Sequence, residues 1–252
     1  MNLSFTNKVI LVTGGTSGIG KSTAIAFAGS GGKVVITGRR EKEGADVVAE
    51  IEKRGGTAKF VRADVSKDED VEKTIDFVLY KYGRLDVAFN NAGVGFSTPL
   101  DQIKKEQYST IFSVNVWGVL NSMKHEIKVM LQNGGGAIVN NSSAAGQVAL
   151  PEITIYTASK HAVEGLTKAA ALEFATRGIR INAVAPAGIE TEMLDRNLGK
   201  EGERREWFRL LHPVERLGTS EEVAAAVMYL ASDAAKFTTG TTLKVDGGYT
   251  AK

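Results

Sequence analysis

Seven short runs of β-branched and apolar residues recur along the chain, and most are separated by segments long enough to be helices. The runs cover residues 8–13 (KVILVT), 33–37 (KVVIT), 57–62, 85–89, 137–141, 179–184 and 242–245. Helical patterns fall at 18–30, 41–54, 68–82, 105–132, 154–177 and 220–232. A parallel pair of strands needs a crossover of about a dozen residues or more, whereas an antiparallel hairpin needs only a tight turn. Strands that alternate with helices therefore imply right-handed crossovers and a doubly wound parallel sheet with helices on both faces. The runs are almost continuously apolar, as expected of strands covered on both sides.

The chain has 252 residues, within reach of one α/β domain, and no linker, repeat or low-complexity stretch divides it; a single domain over 1–252 is expected. A formal net charge of +2 gives no basic surface for nucleic acid or membrane. No apolar run approaches the roughly 18 residues that span a bilayer. Residues 1–8 carry no apolar signal-peptide core. With no cysteine, disulfides, thiolate metal sites and a thiol nucleophile are excluded. The three histidines, His125, His161 and His212, form no metal-ligand spacing. A cytoplasmic location is the default expectation.

Residues 13–20 read TGGTSGIG, directly after the first strand and opening the first helix. Gly14, Gly18 and Gly20 remove side chains where a pyrophosphate would approach, and the helix amides supply donors and partial positive charge. Thr16, Ser17 and Ile19 complete the turn. The spacing departs from the common GxGxxG. In sheets that bind NAD, a carboxylate near the end of the second strand takes the ribose hydroxyls. Here Thr37-Gly38-Arg39-Arg40 offers none. Arginine suits a 2′-phosphate through a planar, charge-assisted fork. Arg39, with Arg40 and Ser17, is expected to favour NADP(H), NAD(H) being the alternative; the plain reading of these arginines is surface charge.

Tyr156 and Lys160 lie four residues apart on a helical pattern and share a face. A free tyrosine has a pKa near about 10, and a nearby ammonium is expected to lower it. Ser143 ends the fifth strand, where its hydroxyl can reach the same carbonyl oxygen as the tyrosine. Ser142 competes for that role, but adjacent strand residues face opposite ways.

Together these residues resemble the short-chain dehydrogenase/reductase family from Lys8 to about Tyr249. The matching segments are TGGTSGIG, Asp64-Val65, Asn90-Asn91-Ala92-Gly93, Asn115, Ser143 and Tyr156-Thr157-Ala158-Ser159-Lys160. The resemblance implies a Rossmann-type fold and hydride transfer between a nicotinamide and a carbonyl or alcohol carbon. It implies that Tyr156 handles the proton on the substrate oxygen and that Ser143 bonds that oxygen. Lys160 would bond the nicotinamide ribose, and Asn115 would hold a water that relays protons to Lys160. Asp64 would contact adenine, and Asn91, Ala92 and Gly93 the ribose region. Pro186 and Gly188 would belong to the cofactor site and Ile189 and Thr191 would meet the carboxamide, although Ala187 stands where the family usually has glycine. The resemblance also implies a homotetramer or homodimer built on the helices at 105–132 and 154–177. Trp117-Gly118 and residues 244–248 are expected to serve packing and subunit contact.

The charge-rich segment 192–212 is expected to form a lid over the substrate. Val94, Phe96, Val148, Leu150, Ile153, Trp207 and Phe208 suggest an apolar pocket for a small carbonyl or alcohol, with Glu152 a polar handle or a turn residue. The alternatives are an NAD-linked alcohol or sugar dehydrogenase, a non-redox dehydratase or epimerase, and a cofactor-sensing regulator.

Overall fold

A computed structural model of the protein describes residues 3–251, so the outermost ends of the expected 1–252 domain lie outside it. Seven strands form one sheet: β1 (Val9–Thr13), β2 (Lys33–Gly38), β3 (Thr57–Arg62), β4 (Val87–Asn90), β5 (Gly136–Asn141), β6 (Ile179–Pro186) and β7 (Thr242–Val245). Their order is β3-β2-β1-β4-β5-β6-β7, and every pairing is parallel. The order reverses between β1 and β4, which opens a crevice at the carboxyl ends of the strands, the usual place for a ligand in such sheets.

The helices are α1 (Gly18–Gly29), α2 (Glu41–Lys53), α3 (Asp68–Tyr82), α4 (Lys105–Phe112), α5 (Gly118–Gln132), α6 (Thr154–Phe174), α7 (Glu192–Leu198), α8 (Glu203–Leu210) and α9 (Ser220–Ala231). Alternation along β1 divides the core between the two faces of the sheet. Ile10 and Val12 pack with Phe27 of α1, Ile51 of α2 and Val227 of α9. Val9 and Leu11 pack with Val78 of α3, Met123 of α5 and Val163 of α6. Both faces are thus apolar, which is why the run reads as continuous rather than alternating.

The structure corrects the expected single helix over 105–132. Between α4 and α5 the backbone widens into a π turn at Ser113–Trp117, where the Gly118 N–H reaches back five residues to the Ser113 carbonyl. Such turns cluster at functional sites. Hydrophobic period does not report the extra residue, because the helix axis continues through it. The segment 192–212 contains two short helices, α7 and α8, joined by residues 199–202. Strand β4 begins at Val87, two residues later than the run at 85 suggested, and takes in Asn90.

Beneath the sheet lies a buried polar cluster. Asn90 Nδ2 donates to Glu126 Oε2 at 3.0 Å and to Asn140 Oδ1 at 3.1 Å. Asn140 Nδ2 donates in turn to Thr167 Oγ1 at 3.0 Å. Burial pushes the Glu126 carboxyl up to about 8, against the opposing pull of Asn90. The folded chain therefore holds a proton on Glu126 that the unfolded chain releases near 4.5. The stability this proton confers is complete below that value and is lost as pH rises towards 8. Glu126→Gln keeps the neutral form at all pH. Its Tm relative to the unmodified protein should therefore climb from about pH 5 to about pH 8. Thermal melts across that window check this, and a constant difference would refute it.

Candidate active site

The first turn after β1 is shaped by what it lacks. Gly14 has φ +64°, and a Cβ there would sit 2.9 Å from the Ala92 Cα. Gly20 tucks against the Gly14 carbonyl and the Asn91 amide, where any side chain would collide. It lets the amino end of α1 close under the turn, but it does not itself line the cleft. Asn91 holds the turn from the other side. Its Nδ2 donates to the carbonyls of Thr13 and Gly14, both at 3.0 Å, and its Oδ1 accepts from Asn141 Nδ2 at 3.0 Å. Thr13 Oγ1 accepts the backbone N–H groups of Asn91 and Ala92. The exposed amides of α1 face a cleft of about 1510 Å³ lined by Gly14, Thr16, Ser17, Gly18 and Ile19. This cradle fits a pyrophosphate.

At one end of the cleft the two arginines divide. Arg40 is engaged: its Nη2 donates to Ser17 Oγ at 2.8 Å, and its Nη1 pairs with Glu192 at 3.3 Å. The Arg39 side chain is 67% exposed and pairs loosely with Asp64, at 4.0 Å. Asp64 lines the cleft with Val65, and its Oδ1 accepts from the Ser66 N–H and hydroxyl. Burial works against its charge, yet the Ser66 bonds hold the carboxyl below its ordinary range. Asp64 thus forms a strand-end turn and a cleft wall at once.

At the other end, the two serines just past β5 take different partners. Ser142 Oγ is buried and donates to Glu164 Oε1 at 3.0 Å. Ser143 Oγ lies in the cleft, accepting the Ala145 N–H at 3.1 Å and donating to the Pro186 carbonyl at 3.4 Å, and it favours the ionised form of Tyr156. Lys160 follows one turn along α6, with Nζ donating to the Asn141 carbonyl at 2.7 Å and standing 5.5 Å from the Tyr156 ring centroid. The electrostatics differ from the expected acidic phenol. Burial raises the Tyr156 pKa above its ordinary value, and Ser143 only partly offsets this. Burial also pulls Lys160 down to about 8, so its charge is itself costly to maintain. Asn115 sits in the π turn, fully buried and not on the cleft wall. Its Oδ1 accepts the Val94 N–H at 2.8 Å, and its Nδ2 donates to the Val94 carbonyl and to Ser159 Oγ. The side chain holds the 93–95 loop in place and does not contact Lys160 directly.

The loop after β6 brings Pro186, Ile189 and Thr191 to the cleft, but not Gly188. Gly188 packs beneath α8, where a Cβ would lie 2.7 Å from Phe208. Ala187 is not among the described residues with positive φ, so its backbone is one any residue can adopt and glycine is not required. Thr191 Oγ1 caps α7 through the Leu194 N–H, and its methyl lies 3.2 Å from where a Cβ on Gly18 would stand. Val94, Phe96, Val148, Leu150, Ile153, Trp207 and Phe208 all line the far half, as expected.

Two residues there had no assigned role. Tyr249, near the end of the chain, lines the cleft beside Phe208. His212 is buried between Phe208 and Tyr249; its Nε2 accepts the Gly188 N–H at 3.0 Å, and its Nδ1 faces the Phe208 carbonyl at 3.0 Å. It pins the end of α8 to the loop after β6. No spacing in the sequence marks either residue, because both contacts join distant segments.

The family model described as Enoyl-(Acyl carrier protein) reductase matches residues 14–250. The chain is 44% identical over 253 residues to cyclohexanol dehydrogenase of Acinetobacter sp. (strain SE19), covering 100% of this chain and 98% of that one. It is 42% identical to the A-factor type gamma-butyrolactone 1'-reductase (1S-forming) of Streptomyces virginiae, covering 97% and 96%. The solved gluconate 5-dehydrogenase of Burkholderia cenocepacia, in complex with NADP and tartrate, superposes with a TM-score of 0.94 at 33% identity, covering 99% and 97%. With this fold, this nucleotide cradle and these relatives, the chain belongs to the short-chain dehydrogenase/reductase family, oxidoreductases that act on CH–OH groups with a nicotinamide cofactor.

Proposed function

We propose that the protein is an NADP(H)-preferring oxidoreductase that interconverts a small carbonyl compound and its secondary alcohol, with Tyr156 as the general acid and base. The observation that carries this reading is the meeting of Ser143, Tyr156 and Lys160 in the cleft that also holds the glycine-rich turn. Bound nicotinamide supplies the hydride in reduction and receives it in oxidation.

The residues of the chain divide the remaining work. The Gly14–Gly20 turn takes the pyrophosphate, Asp64 and Val65 the adenine end, and Asn91, Ala92 and Gly93 the neighbouring ribose. Pro186, Ile189 and Thr191 flank the carboxamide, and Lys160 bonds the nicotinamide ribose. Ser143 and Tyr156 receive the substrate oxygen. Burial opposes loss of the phenolic proton, so Tyr156 meets the substrate protonated and gives up its proton only as negative charge develops on the carbonyl oxygen. Ser143 steadies the charge that develops there. Lys160, held at about 8, exchanges protons near neutral pH and so can restore the tyrosine. Asn115 contributes by fixing the wall beside it.

NADP(H) preference rests on Arg39, which is exposed in the cleft with no carboxylate in residues 37–40, and on the relative solved with NADP. Helices α7 and α8 act as the lid over 192–212, within a single domain. Trp117, Leu120 and Leu172 expose apolar surface on and beside α5 and α6, which supports a homodimer or homotetramer through those helices. A cytoplasmic setting accords with the absence of cysteine.

Tyr156→Phe should lower kcat by about 10²–10⁴-fold while NADPH binding persists. Stopped-flow single turnover with a cyclic ketone, beside NADPH titration by fluorescence, measures both; near-normal turnover would remove the acid–base assignment. Arg39→Leu should lower the ratio of kcat/KM for NADPH over NADH by about tenfold or more, the worth of one charge-assisted contact. An unchanged ratio would argue that another group reads the 2′-phosphate.

A further inference from the structure

Glu152, in the loop between β5 and α6, has φ +67°. A side-chain-bearing residue takes this backbone rarely and needs local contacts to hold it. The Thr98 N–H supplies one, donating to the Glu152 carbonyl at 2.7 Å. The carboxylate supplies the others. Its Oε2 accepts from Ser97 Oγ at 3.0 Å and from Arg204 Nη2 at 2.8 Å, and Arg204 Nη2 also reaches Ser97 Oγ at 3.2 Å. Three separate segments, the loops after β4 and β5 and the first turn of α8, are joined at this point. All three residues line the cleft.

Trp207 and Phe208 stand three and four positions beyond Arg204, so they face the same side of α8. The walls behind them are apolar: Phe96, Leu150 and Ile153. Arg204 is thus a cation beside an apolar chamber, with its charge already answered by Glu152. A lone guanidinium here would be a two-pronged receptor for a substrate carboxylate.

We propose, building on the carbonyl–alcohol reading of this cleft, that Glu152 and Ser97 are specificity-determining residues that bias it towards uncharged substrates. A substrate carboxylate must displace a competitor tethered to the same chain, which acts at high effective concentration. A neutral ring or acyl ketone meets no such competitor and rests on Trp207 and Phe208. The pair is half-exposed and therefore displaceable, so it sets a preference and not an absolute bar.

The test compares a cyclohexanone carboxylate with its methyl ester. Affinity is measured by calorimetry on the NADP-loaded protein, and kcat/KM by NADPH oxidation. The unmodified protein should favour the ester. Glu152→Gln should shift the acid-to-ester affinity ratio towards the acid by about tenfold, the scale of one hydrogen bond to a charged group. Adding Arg204→Gln should erase that gain. The proposal is overturned by an unmoved ratio in Glu152→Gln, by a gain that survives loss of Arg204, by an unmodified protein that prefers the acid, or by binding of neither compound. This binding pattern without NADPH oxidation would instead count against the hydride-transfer reading, leaving the charge preference in place.

Discussion

One amide side chain ties together the tips of three strands. Asn91, just past β4, bonds the Thr13 and Gly14 carbonyls at the end of β1 and accepts a bond from Asn141 at the end of β5. The crevice lies where strand order reverses, and Asn91 fixes the strand ends that border it. The glycine-rich turn has few side chains to shape it, so its conformation is imposed from outside by Asn91 and by the Thr13 hydroxyl. The Asn141 carbonyl at the same junction receives Lys160. The glycine-rich turn and the Tyr156–Lys160 pair are therefore built on one frame.

That frame explains why burial, and not mutual attraction, governs the titrating groups. Lys160 is directed at a carbonyl and Tyr156 at a serine, so neither meets a full opposite charge. Desolvation then favours the neutral form of each, raising the phenol and lowering the amine. Their ordinary values lie close together near 10, and the environment drives them apart, the amine now the stronger acid. A division of roles between neighbouring titratable groups commonly follows from such separation.

Most of the fold was legible because it rests on period and punctuation. Continuous runs such as KVILVT, set apart by helix-length segments, specify a sheet covered on both faces, and TGGTSGIG announces the first crossover. The strand repeat separates the hydroxyl partners of Ser142 and Ser143, although both residues fall just past β5 and both line the cleft. What escaped depends on contacts between distant segments. The π turn at Ser113–Trp117 slips the apolar repeat by one residue, a shift too small to stand out between two short helical stretches. His212 meets Gly188 and Tyr249 meets Phe208 only after folding, and neither residue type signals its partner. The acidity expected of Tyr156 was inferred from its spacing to Lys160 alone, and spacing carries no information about desolvation.

Thr191 has a wider mechanical consequence. Its hydroxyl anchors the amino end of α7, while its methyl group lies against the opening turn of α1. The start of α7 and the first turn of α1 are thus close neighbours, separated by no more than the space a Cβ on Gly18 would fill. A methyl group at position 18 would press on the residue that starts α7, so the bareness of that turn is also what lets the two helices begin side by side.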